Sequence, residues 1–148
     1  MDVLRGSYPA KIDDKGRLKI PNAFRALVED QHGAGLYLTS LSGDSVRIYP
    51  MNEWLAVEAR VARMPSAHPA RLKFLDRVNY YGQVGEFDVQ GRVLIPGRLR
   101  DAAGMTGDVD VLGQMTYLEV WNHDRLLAKL NREPFTDDDA RALAEFGI

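Results

Sequence analysis

Cysteine is absent from the 148 residues, which excludes disulfide scaffolds, thiolate metal sites and cysteine nucleophiles and is compatible with a reducing compartment. Histidine is scarce. His32, His68 and His123 stand apart from one another and read as surface or capping groups. No His-x-x-x-His, P-loop or Gly-x-Gly-x-x-Gly pattern occurs, so no catalytic residue, metal ligand or cofactor is assigned, and the chain does not read as an enzyme. No apolar run approaches the roughly 20 residues of a membrane span, and Met1-Asp2-Val3-Leu4-Arg5-Gly6 lacks the apolar stretch of a signal peptide. The expected setting is the cytoplasm, without a membrane partner. An excess of positive charge is also missing: the net charge is −2, which argues against a protein that coats nucleic acid through bulk attraction.

What is present is a core-forming composition, 45% hydrophobic and 27% charged, enough for one domain or two small ones. The charge is unevenly placed. Residues 1–28 carry six basic groups (Arg5, Lys11, Lys15, Arg17, Lys19, Arg25) against three acidic ones (Asp2, Asp13, Asp14), whereas residues 133–148 set Arg141 alone against Glu133, Asp137, Asp138, Asp139 and Glu145. Such asymmetry suits one surface turned toward phosphate and another kept from it, and equally suits ordinary solvated faces.

The most informative feature is an internal repeat. The stretch Asp13-Asp14-Lys15-Gly16-Arg17-Leu18-Lys19-Ile20-Pro21-Asn22-Ala23-Phe24-Arg25 returns as Asp88-Val89-Gln90-Gly91-Arg92-Val93-Leu94-Ile95-Pro96-Gly97-Arg98-Leu99-Arg100, identical at Asp, Gly, Arg, Ile, Pro and the final Arg. Tyr8 to Ile12 and Gln83 to Phe87 alternate as strands, each feeding a turn in which Gly16 or Gly91 supplies a positive φ. The return strands Arg17 to Ile20 and Arg92 to Ile95 end at prolines, which cannot donate to a ladder and suit a first helical turn. Phe24, Leu27 and Val28 then give the stripe of a helix packed on a sheet. Two more strands follow in each copy: Leu36 to Leu41 and Val46 to Tyr49, then Val109 to Leu112 and Tyr117 to Trp121.

The expected fold is therefore α+β and mainly β, with two tandem β-β-α-β-β units. The divisions are repeat one over 1–51, a helical hairpin linker over 52–79, repeat two over 80–123 and a C-terminal helical segment over 124–148. The linker helices span Asn52 to Met64 and Ala70 to Asn79, and the tail helices span Asp124 to Leu130 and a short segment capped by Thr136 and Asp139 that ends near Phe146. Asp137-Asp138-Asp139 reads as a helix N-terminus rather than a cation site. Tyr80, Tyr81 and Trp54 read as core or strand residues.

These residues resemble the MraZ family, bacterial regulators of the division and cell-wall gene cluster, marked by a duplicated AbrB-like domain with one Asp-x-x-x-Arg motif per copy. The likeness runs through Arg5-Gly6-Ser7-Tyr8, Asp13-x-Lys15-Gly16-Arg17-Leu18-x-Ile20-Pro21, Ile48-Tyr49-Pro50 with Trp54, Asp88-x-Gln90-Gly91-Arg92-x-Leu94-Ile95-Pro96, Gly113-Gln114 and Leu118-Glu119-Val120-Trp121. A lone Asp-x-x-x-Arg carries little information; two in register inside matching units are specific. The resemblance implies a swapped-hairpin, pseudo-symmetric β-barrel core and assembly into a closed homo-oligomeric ring of octamer or dodecamer size. It also implies a nucleoid-associated, autoregulatory repressor that binds short G-rich direct repeats in double-stranded promoter DNA.

Chemically, the candidate DNA-binding residues are Lys11, Lys15, Gly16, Arg17, Lys19 and Arg92, with Asp13, Asp88 and Gly91 as turn-forming partners. Across a tight hairpin the aspartate can accept from backbone N–H groups or restrain the guanidinium, and a plain surface ion pair is an equal reading. A guanidinium fixed by a rigid turn can bond guanine O6 and N7 bidentately. Alternation places Arg17 and Lys19 on one face, with Lys11 a neighbour across the hairpin. The counterparts in copy two are Arg92, Leu94 and Glu86, while Lys15 is matched by Gln90. The first copy is thus expected to supply most DNA affinity, with Leu94 partly in a contact between copies or subunits. Two other classes remain: an AbrB-like antitoxin that neutralises a toxin with its tail, and an assembly protein that keeps the fold without binding DNA.

Overall fold

A computed structural model describes residues 2–148. In chain order the elements are β1 (Ser7–Ile12), β2 (Arg17–Lys19), α1 (Asn22–His32), β3 (Gly35–Thr39), β4 (Val46–Pro50), α2 (Met51–Val61) and α3 (Pro69–Tyr80). The second half continues with β5 (Gln83–Glu86), β6 (Arg92–Leu94), α4 (Gly97–Ala103), β7 (Gly107–Gly113), β8 (Leu118–Asn122), α5 (His123–Arg132) and α6 (Asp137–Ala144). The β-β-α-β-β unit is present twice, as β1-β2-α1-β3-β4 and β5-β6-α4-β7-β8. No helix among the described residues is long and apolar enough to cross a membrane.

All eight strands join one antiparallel sheet in the order β5-β3-β4-β8-β7-β1-β2-β6, curled into a nearly closed barrel. The terminal strands of that order, β5 and β6, are consecutive in the chain and are linked by the second Asp-x-x-Gly-Arg turn. Strands pair by exchange between repeats. The first strand of repeat one, β1, pairs with the third of repeat two, β7, from Ser7↔Leu112 to Ile12↔Gly107. Reciprocally, β5 pairs with β3. The return strands β2 and β6 pair with each other, as do the last strands β4 and β8. This is the swapped-hairpin, pseudo-two-fold arrangement.

The core follows the repeat. Leu18, Ile20, Phe24 and Val28 of the first unit are buried with Val93, Ile95, Leu99 and Ala103 of the second. Burying this interleaved set from both units is what makes one barrel more stable than two separate sheets, each of which would leave one apolar face wet. A second cluster forms outside the barrel, where α2 and α3 cover Tyr37, Tyr49 and Tyr117 with Trp54, Phe74 and Val78. There Tyr37 stacks on Trp54 at 4.6 Å between centroids, and Thr39 Oγ1 donates to the Val78 carbonyl at 2.7 Å.

Several boundaries differ from the sequence expectation for local reasons. The return strands span to Lys19 and Leu94, and beyond them the amides of Ile20 and Ile95 continue the ladder in register, at 3.1 Å to Gly91 O and 2.9 Å to Gly16 O, until Pro21 and Pro96, which lack an N–H, end it. Pro21, Pro50 and Pro96 each stand immediately before a helix. The first linker helix ends at Val61, not Met64, because the residue before Pro65 is disfavoured in the helical region. His68 caps the second, its Nδ1 accepting from the Ala70 amide at 3.0 Å. Thr136 and Asp139 form the expected capping box of α6. Tyr80 is exposed at the end of α3, stacked under Arg98, and so is neither a core nor a strand residue.

Because Leu18 and Val93 are cross-strand partners sealed in one core, Leu18→Ala is expected to lower the unfolding free energy by about 2–5 kcal/mol in urea denaturation. The double variant with Val93→Ala should depart measurably from additivity, since neighbouring cavities relax together. Strict additivity would mean that the two repeats have separate cores.

Candidate nucleic-acid interface

The two motifs have the same geometry. In the first turn Asp13 Oδ1 accepts from the amides of Lys15 at 3.0 Å and Arg17 at 2.8 Å, while Oδ2 accepts from Arg17 Nε at 2.8 Å. In the second, Asp88 Oδ1 accepts from Gln90 and Arg92 amides, both at 2.8 Å, and Oδ2 accepts from Arg92 Nε at 2.9 Å. The turns close through Gly16 N to Asp13 O and Gly91 N to Asp88 O, both 3.0 Å. One carboxylate thus does both things considered for it, holding the turn backbone and fixing the guanidinium.

Both glycines have φ near +80°, at 83° and 78°, a region costly for a residue with a Cβ. Both carboxyls are held below their ordinary value, chiefly by the backbone N–H of the motif arginine against an opposing desolvation, with the guanidinium and the next amide adding to the lowering. Tying Nε to the aspartate leaves Nη1 and Nη2 of Arg17 and Arg92 without intramolecular bonds among the described residues. These side chains are 32% and 28% exposed. Each therefore presents a restrained two-pronged donor to solvent, the arrangement suited to planar bidentate acceptors.

The register of β2 against β6 brings the motifs together. Arg17 lies opposite Leu94, Leu18 opposite Val93, and Lys19 opposite Arg92. Leu18 and Val93 are buried, so strand alternation puts Arg17, Lys19, Arg92 and Leu94 on a single outward face. The faces treated from sequence as separate, one per copy, are one surface. Leu94 is 57% exposed and sits across from Arg17 of the other repeat.

The remaining candidates divide. Lys15 is exposed at the first turn, its carbonyl accepting from Arg100 Nη1 at 2.9 Å. Lys19 Nζ donates to the Gln90 carbonyl at the second turn. Lys11 precedes the Ile12↔Leu18 pair that joins β1 to β2, and on its other side it faces Asp108 across the β1–β7 ladder, with Nζ 3.9 Å from Oδ1. Sequence reasoning missed the role of Arg25 and Arg100. Both appeared as the last identity of the repeat, Arg25 also as one of the basic groups of residues 1–28, and nothing within one repeat indicates that the side chain reaches the turn of the other.

A family model described as "MraZ protein, putative antitoxin-like" matches the chain over residues 3–77 and 83–146. Among curated relatives, the transcriptional regulator MraZ of Acidobacterium capsulatum is 48% identical over 146 residues, covering 99% of this chain and 100% of the relative. The transcriptional regulator MraZ of Koribacter versatilis is 47% identical over 147 residues, with coverages of 99% and 100%. That of Caldicellulosiruptor bescii is 32% identical over 148 residues, with the same coverages.

The depressed carboxylates predict an acid dependence with a definite sign. A folded-state value below the unfolded one gives stability that is present above the ordinary carboxylate value of about 3.9 and is lost as pH falls through the lowered folded value. Urea midpoints measured against pH should therefore decline less steeply below about pH 4 in the double variant Asp13→Asn/Asp88→Asn than in wild type. Parallel curves would show that the turns do not titrate with folding.

Proposed function

The chain belongs to the MraZ family, and on that premise we propose that it is a sequence-specific transcriptional regulator that docks the β2–β6 ribbon against promoter DNA. One observation carries the reading: the ribbon register sets Arg17, Lys19 and Arg92 on one outward face, with each arginine's Nε tied to an aspartate and its Nη atoms unbonded among the described residues. A two-stranded ribbon fits the major groove, and a guanidinium so held is suited to guanine O6 and N7. This chemistry favours guanine, and the family resemblance implies that the guanines lie in short direct repeats. Gly16 and Gly91 give the turns the positive φ that holds the arginines in place, and Lys15 and Lys11 add positive charge on the side of Arg17.

A single subunit is a weak binder. With three or four phosphate contacts, log affinity would fall against log salt with a slope of only about −3 to −4. A homo-oligomer, in the closed ring that the family resemblance implies, places identical ribbons on successive direct repeats and gains through effective concentration. This suits a chain with a net charge of −2, which would not bind DNA indiscriminately. The natural target is the promoter of its own division and cell-wall gene cluster, bound as an autoregulatory repressor in the cytoplasm at the nucleoid. A second reading, an antitoxin-like protein that neutralises a partner with its tail, draws on the exposed Phe135, Phe146 and Ile148 around α6. Removal of residues 133–148 separates the two, because DNA binding by the ribbon would survive it.

Footprinting on the upstream region of its own cluster, with an unrelated duplex as control, tests the main reading. Wild type should protect evenly spaced repeats. Arg17→Ala should abolish protection at the same concentration, and Arg92→Ala should lower affinity by about 5- to 150-fold, the worth of one bidentate base contact. Protection unaffected by Arg17→Ala, or equal on both duplexes, would overturn it.

A further inference from the structure

The carbonyl at the tip of each recognition turn is held by a cation of the opposite repeat. Arg100 of α4, in repeat two, donates Nη1 to the Lys15 carbonyl of turn one at 2.9 Å. Lys19 of β2, in repeat one, donates Nζ to the Gln90 carbonyl of turn two. The two donors occupy non-equivalent positions, and the sequence differences between the repeats account for it. The counterpart of Lys19 is Leu94, which has nothing to donate, so turn one cannot be held from β6. The counterpart of Arg100 is Arg25, whose Nε donates to Glu29 on its own helix at 2.9 Å and whose Nη1 lies against Gly91 without bonding the Gln90 carbonyl among the described residues. Glu29 is in turn matched by Gly104, so Arg100 has no such competitor on α4. Each repeat thus supplies one latch.

The fit is close. A Cβ added to Gly16 would lie 1.4 Å from Arg100 Nη1, and one added to Gly91 would lie 2.8 Å from Arg25 Nη1. Both glycines are buried beneath these opposing arginines, although they stand at the tips of surface turns. Gly16 and Gly91 are thus required for the approach of the other repeat as well as for their positive φ.

Resting on the reading of Arg17 and Arg92 as DNA contacts, we propose that Arg100 and Lys19 are crossed positioning residues, each fixing the turn that aims the opposite repeat's arginine, so that Arg100 contributes specificity rather than charge and Lys19 adds positioning to its place on the outward face. Arg100 steadies Arg17, and Lys19 steadies Arg92. The two turns are held independently, so loosening one leaves the other intact.

Arg100→Met and Lys19→Met keep the apolar stem and remove the donor. Amide hydrogen exchange on the intact protein should show Lys15, Gly16 and Arg17 exchanging faster by about tenfold in Arg100→Met, with Gln90, Gly91 and Arg92 unchanged, and the reverse in Lys19→Met. Arg100→Lys, which retains a donor, should recover part of the protection, and Arg63→Ala, an exposed charge loss, should alter neither turn. In DNA titrations Arg100→Met should weaken operator binding while leaving the salt slope and the affinity for an unrelated duplex as in wild type. A slope reduced by about one, with equal losses on both duplexes, would make Arg100 a phosphate contact and overturn the proposal. Exchange accelerated in both turns together, or in neither, would overturn it as well. If wild type itself fails to prefer the operator, the functional reading fails, and the exchange pattern alone decides whether the latches are crossed.

Discussion

Everything in this molecule depends on the antiparallel pairing of β2 with β6. Three cross-strand pairs, Arg17↔Leu94, Leu18↔Val93 and Lys19↔Arg92, are extended at both ends by Ile20 N to Gly91 O and Ile95 N to Gly16 O. These bonds join the two repeats along their pseudo-two-fold, and Pro21 and Pro96 end each return strand just beyond them. Had each hairpin remained within its own repeat, Leu18 and Val93 would lie in different cores and the arginines on different faces. The same pairing that buries the central residues of the ribbon therefore assembles its outward cations, and the architecture and the candidate site are one constraint seen from two sides.

That dependence explains which features could be read from sequence. Gly16 and Gly91 announced their turns through a positive φ, alternation announced Leu18 and Ile20 as core, and Thr136 with Asp139 announced the start of α6, because each of these rests on interactions within a few residues. The MraZ resemblance supplied the swap. Residue patterns alone could not: β1 is equally apolar whether it pairs with β3 or with β7, and nothing local distinguishes the repeats as partners. Leu94 illustrates the cost. From sequence it marked the second copy's face as distinct and apolar, yet its exposure opposite Arg17 makes it part of a mixed surface. The shift of the helix end from Met64 to Val61 is smaller and local, set by Pro65.

The aspartates show why a surface ion pair here differs from the usual weak kind. An exposed lysine–carboxylate pair orders two long side chains for little return. Asp13 and Asp88 order short side chains over a turn that their own Oδ1 atoms help to build, and the guanidinium is added to an acceptor already fixed by two amides. Side-chain entropy that binding would otherwise remove from arginine is removed in part on folding. A donor prepared in this way loses less on meeting its acceptor, the general basis on which preorganised contacts gain affinity without added area.

Divergence between the repeats then has a physical limit. The outward positions of the ribbon changed freely in charge, as Lys19 against Leu94 and Lys15 against Gln90 show, whereas the positions that set turn geometry, Asp, Gly and Arg, are the same in both copies. A lost donor at position 94 is tolerable only where another cation reaches the turn carbonyl, and Arg100 does so from a helix on which Gly104 stands in the place of Glu29. Duplication within one chain permits such compensation, because the two halves share one barrel but need not share one sequence. A symmetric homodimer of single repeats would have to solve both turns with the same residue. The tandem chain solves them differently, and so keeps two matched arginines on a ribbon whose remaining charge is unequal.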